Sequence, residues 1–184
     1  MGNESGIVRI PVAAILRRRP VDHPWLSEEW QAVGLLPQPP AEAHGRLHRR
    51  LDDGEEYLAA CPPLELHPKD AESYAANLAS ANPAVWVLMD EEESAPPLPL
   101  AVHMATVSAF EAQDYLDSGE LRVDMVPMPD ALKVLVEAFV AAQPEPAPFC
   151  KRRNRKEDAE AYRFGKEPIA ELRRRLGREP GGAH

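Results

Sequence analysis

Cysteine and aromatic residues are scarce in this 184-residue chain, with two cysteines and a 6% aromatic share. Cys61 and Cys150 are too few for a disulfide framework and too far apart for a CxxC metal or redox motif. A reducing, cytoplasmic setting is therefore expected. Long apolar runs are also missing: the longest uncharged stretches reach about ten residues, half of what a membrane-spanning helix needs. No membrane span is expected, and residues 2–6 carry an acid rather than the basic cluster of a secretory leader. The ten glycines are scattered, so there is no Walker or dinucleotide-type phosphate loop. Neither a G-x-S-x-G elbow nor an H-E-x-x-H helix occurs, and no cofactor is expected from the motifs.

Proline is abundant, at 20 residues, about twice the usual share, which implies many extended and loop segments. Charge is unevenly spread. Residues 1–149 hold 10 Lys/Arg against 24 Asp/Glu, a balance of −14, and residues 150–184 hold 11 against 6, a balance of +5. The proline-spaced stretch 143–148 (QPEPAP) disfavours helix and marks a boundary. The expected organisation is an acidic α+β domain over residues 1–142, followed by a linker and a basic, partly helical arm over 143–184.

Hydrophobic patterning predicts strands over 7–16, 30–36, 56–60 and 64–67, with a further strand within 46–53 and Asp53-Gly54 as a hairpin turn. Pro11 demotes its segment to an edge or bulge. These strands suggest an antiparallel meander, and residues 21–25 (VDHPW) a turn. A helix begins at Pro68, with Ala71, Tyr74, Ala75 and Leu78 on one face. Strands follow at 84–89 and 98–107. Ser108 and Glu111 have capping-box spacing for a helix over 109–118 that ends at Gly119. After a strand over 121–126, Pro129 opens a last helix with Leu132, Leu135, Val136, Phe139 and Val140 on one apolar face. The fold class is α+β, a mostly antiparallel sheet with about three helices packed on it plus the basic C-terminal arm.

Three groups of residues are candidates for contact with other molecules. Arg17, Arg18 and Arg19, with Lys151, Arg152, Arg153 and Arg155 of the arm, are cations suited to phosphate or partner binding. Glu111, Asp114 and Asp117 would share a helix face and, with Gln113, suit a basic partner segment; Tyr115 and Leu116 would supply the buried side of the helix. Asp22, His23 and Trp25 read as a loop anchor, with Trp25 holding the loop and the polar pair capping the turn. His67 is expected to cap a helix end, and His103 to be half-buried in a strand.

Residues 17–25 (RRRPVDHPW), Trp30, 64–67 (LELH), Tyr74, 77–78, 110–120 (FEAQDYLDSGE), 126–129 (VPMP) and 149–155 (FCKRRNR) together resemble one proteobacterial family of unknown function. Its members are often labelled molybdopterin-guanine dinucleotide biosynthesis protein A, and they tend to be encoded beside molybdenum-dependent formate dehydrogenase. The resemblance spans roughly residues 9–155, and 110–120 is its most specific part. A guanylyltransferase like the true protein A would need an N-terminal glycine-rich loop whose N–H groups cradle the nucleotide phosphates. Here the first strand runs into Arg17-Arg18-Arg19-Pro20 with no glycine after Gly6, so that motif is absent and no catalytic residue carries over.

The resemblance implies an accessory protein for maturation or assembly of a molybdenum-dependent formate dehydrogenase. Its partners would be a dehydrogenase subunit, the maturation proteins, or the molybdenum cofactor itself. The alternative is a molybdenum-cofactor biosynthesis enzyme or nucleotide-binding protein that uses Arg17–Arg19 and the arm as cations. Nucleic acid is not an expected partner, because the body is strongly acidic and carries no recognition motif.

Overall fold

The computed structural model describes residues 6–91 and 93–143. The basic arm, with Lys151, Arg152, Arg153 and Arg155, lies outside the described residues. The chain divides into two units, Met1–Glu145 and Pro146–His184, and the elements described below belong to the first.

Among the described residues, nine strands, three α-helices and one 3-10 turn make an α+β fold in which every strand pairing is antiparallel. Pro11 splits the first predicted strand. β1 (Val8–Ile10) pairs with β6 (Leu64–Leu66), whereas β2 (Val12–His23) enters a four-stranded sheet of order β3-β2-β5-β4. A proline has no N–H for a ladder, so it marks the point where the chain leaves one sheet for another. β3 (Leu26–Pro37), β4 (Leu47–Leu51) and β5 (Gly54–Ala60) complete that sheet. It is not the simple meander expected from the strand spacing, because β2 lies between β3 and β5. The third sheet has order β8-β7-β9, built from β7 (Ala84–Asp90), β8 (Ala101–Thr106) and β9 (Arg122–Pro127).

The core gathers Val12, Ala14 and Leu16 of β2, Val85, Val87 and Met89 of β7, and Leu132, Val136 and Phe139 of α3 (Asp130–Ala141). The alternation along β2 and β7 places these residues on one face of each strand. Leu135 and Val134 of α3 are instead exposed, so the apolar face of α3 is narrower than its sequence stripe. The 3-10 turn Pro68–Asp70 leads into α1 (Ala71–Leu78), whose Tyr74 ring lies 6.1 Å from that of Phe139. Burial pushes the Tyr74 hydroxyl up to about 12, so it stays protonated while accepting a hydrogen bond from the His67 N–H at 3.1 Å.

Asn77 ties α1 to the third sheet. Its side chain donates to the Ala84 and Val107 carbonyls at 2.8 and 2.9 Å and accepts from the Ala84 N–H at 3.0 Å. α2 (Ala109–Ser118) starts at Ser108, whose hydroxyl accepts from the Glu111 N–H at 3.3 Å. It ends at Gly119 in the left-handed region, φ 66°, which a residue without Cβ adopts freely. Only half of the expected capping box forms. The Glu111 carboxylate accepts from the Thr106 hydroxyl at 2.6 Å, and it is the Thr106 oxygen that accepts from the Ser108 N–H at 3.0 Å.

Candidate interaction surface

β2 and β3 are each 12 residues long, twice an ordinary strand, and the burial of both declines toward the turn that joins them. The proximal half of the hairpin lies in the core and the distal half stands in solvent. Trp25 at the tip is 90% exposed. Its side chain therefore does not anchor the loop by burial; within the turn the Trp25 N–H donates to His23 Nδ1 at 3.3 Å, and His23 pairs with Leu26. Asp22 and His23 are exposed beside it. A sequence of Asp, Pro and Trp fits both a buried corner and a projecting tip; strand length decided for the tip.

The arginines of β2 are engaged with acids of the same sheet. Register sets Arg17 opposite Glu56 and Arg18 opposite Glu55. Arg17 Nη2 donates to Glu56 at 2.6 Å and Arg49 of β4 approaches the same carboxylate at 3.0 Å, while Glu56 is only 1% exposed. Burial by itself would raise the Glu56 pKa, but hydrogen bonds from Arg17 and Arg49 outweigh it and hold the carboxyl below its ordinary range. Arg18 pairs with Glu55 at 2.8 Å and lies over the Tyr57 ring at 5.8 Å. Arg17 and Arg18, expected to bind phosphate or a partner, are thus each paired with an acid across the sheet. Arg19 is exposed and lies across from Glu29.

Other sequence candidates are placed as follows. His67 is the N-cap residue of the 3-10 turn and its carbonyl accepts from the Asp70 N–H at 3.0 Å, but its ring bonds Glu65 at 3.1 Å rather than capping the helix end. His67 and Glu65, with Glu111, Pro62, Pro63 and Met104, line a small cleft of about 200 Å³. His103 is exposed rather than half-buried. His44 and His48, four apart in sequence, do not share a helix. His44 precedes β4 and bridges to the Ala95 and Pro96 carbonyls at 3.0 and 3.1 Å, while His48 lies within β4. Among the described residues, no group of three or more His, Cys, Asp or Glu side chains could hold a metal ion.

On α2, Glu111, Gln113, Asp114 and Asp117 are all exposed. Gln113 donates to Asp117 at 2.7 Å, and Glu111 turns away to Thr106. Leu116 is 50% exposed, so it does not supply the buried side; Ala112 is the buried residue of this helix.

Sequence reading assigned no role to Phe110, Trp86 and Met125, which come together. Trp86 faces Met125 across the β7–β9 ladder, and Phe110 of α2 lies beside them in an apolar cleft of about 350 Å³. Phe110 is 72% and Met125 69% exposed. The available signal was the period-2 alternation of β9, which sets Met125 opposite in direction to buried Val126.

A model for proteins of unknown function, DUF3305, matches residues 11–153. The chain belongs to the DUF3305 family. The match takes in every described element after β1, so the arginine–glutamate ladder, the projecting hairpin, α2 and the apolar cleft all fall within the DUF3305 region. No curated protein matches the chain, and no solved structure matches it. Among the described residues, no helix is long and apolar enough to cross a membrane.

Proposed function

We propose that this DUF3305 protein is an accessory protein that works by binding another protein, in the maturation or assembly of a molybdenum-dependent formate dehydrogenase. The observation that carries the binding role is the exposure of large apolar side chains: Trp25 on the hairpin tip, and Phe110 and Met125, which line one cleft with Trp86. Apolar surface held open in this way costs free energy in water and is recovered when a partner covers it. The arginines of β2 and β4 are paired with glutamates of β5, as in the Arg17–Glu56–Arg49 and Arg18–Glu55 contacts. That pairing favours association over the alternative of nucleotide or cofactor synthesis, which would need those cations for phosphate. The choice of dehydrogenase rests on the sequence resemblance alone.

In this reading the arm residues Lys151, Arg152, Arg153 and Arg155 contact the enzyme or its phosphate-bearing cofactor. Affinity capture of the full-length protein from its native cells, with partners identified by mass spectrometry, tests it. Dehydrogenase subunits or their maturation proteins should be enriched, and less so when the four arm cations are replaced by glutamine. Absence of any such enrichment with the intact chain refutes the choice of partner. Saturable binding of GTP or molybdopterin instead would favour cofactor synthesis.

A further inference from the structure

The cleft formed by Trp86, Phe110 and Met125 has a polar edge of Ser80 and Asn82 and no charged residue in its lining. Its surroundings are not neutral. Phe110 begins a ridge of α2 on which Gln113, Asp114 and Asp117 follow at i+3, i+4 and i+7, the spacing that keeps side chains on one face. At 1.5 Å rise per residue, Asp114 is about 6 Å and Asp117 about 10 Å along the helix from Phe110. All three acceptor-bearing side chains are exposed, and the described contact among them, Gln113 to Asp117, uses one carboxylate oxygen. An apolar seat thus continues into an acidic track of defined direction.

We propose that this surface is a docking site for a segment of a partner protein that inserts a large apolar residue between Phe110 and Met125 and sets Lys or Arg side chains against Asp114 and Asp117. Charge complementarity selects this occupant. An acidic segment would meet like charges along α2, and a purely apolar one would leave both aspartates facing it uncompensated. The buried rim supports the seat rigidly: Asn77 beneath it is locked by three hydrogen bonds to Ala84 and Val107, and the Ser73 hydroxyl lies 3.0 Å from that of the Ser108 cap. The helix and strand that carry Phe110 and Trp86 are therefore fixed to each other before a partner arrives, which lowers the ordering cost of association.

This inference rests on the protein-binding role proposed above but not on the identity of the partner. Its test uses the full chain and a fluorescein-labelled helical peptide with two leucines one turn apart and arginines one and two turns beyond them, together with a version in which glutamates replace the arginines. The arginine peptide should bind saturably, more weakly as salt is raised, and at least about tenfold more tightly than the glutamate version. Phe110→Ala with Met125→Ala should weaken it about tenfold, and Asp114→Asn with Asp117→Asn should abolish its salt dependence. These side chains are exposed, so circular dichroism of the variants should match the parent.

Equal binding of both peptides, or unchanged binding by the Phe110/Met125 variant, overturns the proposal. So does a stable dimer of the parent chain that the same variant dissociates, since a second copy would then be the occupant. Peptide binding without capture of dehydrogenase would refute only the named partner. Capture of dehydrogenase that persists in the Phe110/Met125 variant, with no peptide binding, would refute only this site.

Discussion

Glu56 is a carboxylate with 1% exposure between two guanidinium groups, and replacing it by glutamine removes the charge while nearly preserving the shape. Glu56→Gln leaves Arg17 and Arg49 facing an amide whose NH₂ can only repel one of them. Breaking a fully buried ion pair from one side costs about 3–5 kcal/mol. Arg17 and Arg49 keep 27% and 59% side-chain exposure, so water can take over part of their solvation. The expected loss is therefore about 2 kcal/mol. With a urea slope of about 2 kcal/mol/M, the unfolding midpoint should fall by about 1 M. Arg49→Ala should cost less than Arg17→Ala, because Arg49 is the more exposed and its contacts of 3.0–3.3 Å are longer than the 2.6 Å bond from Arg17.

The pH dependence fixes the mechanism. Glu56 titrates below its ordinary 4.5 in the folded chain, so as pH falls the unfolded chain takes up the proton first. Its stabilisation is complete above that ordinary value and fades as pH drops through the lower folded one. The difference in midpoint between parent and Glu56→Gln should accordingly shrink on acidification below pH 4.5 and stay constant above it. A Glu56→Gln loss under about 0.5 kcal/mol at neutral pH, in the range of an exposed surface pair, would refute this account.

Two further outcomes follow from buried groups. Asn77→Ala strands the Ala84 N–H and the Ala84 and Val107 carbonyls; a loss of about 3 kcal/mol, lowering Tm by about 10 °C in a thermal melt, is expected. Burial pushes the Cys61 thiol up to about 12, so iodoacetamide at pH 8 should leave the Cys61 peptide unmodified in native protein and label it fully in urea, as read by mass spectrometry.

The sequence alone determined what depends on neighbours along the chain. The limits of α2 follow from a serine that caps and a glycine that can enter the left-handed region, and the structure places Ser108 and Gly119 in those roles. The split at Pro11 and the run from Ala84 to Asp90 as a buried strand have equally local causes, a missing N–H and a continuous apolar stretch.

Tertiary structure decided whatever joins residues far apart in sequence. Arg17 and Arg18 look like free cations until β5, nearly forty positions later, sets Glu56 and Glu55 opposite them. Glu111 has the spacing to reach back to Ser108, yet the Thr106 hydroxyl lies closer and intercepts it. Trp25 is as hydrophobic as any core residue, but a hairpin of two 12-residue strands carries it past the edge of the core. Phe110, Trp86 and Met125 form one surface only because α2 lies across the β7–β9 ladder. Local preference selects elements, whereas pairing register and packing select which side chains are left facing water.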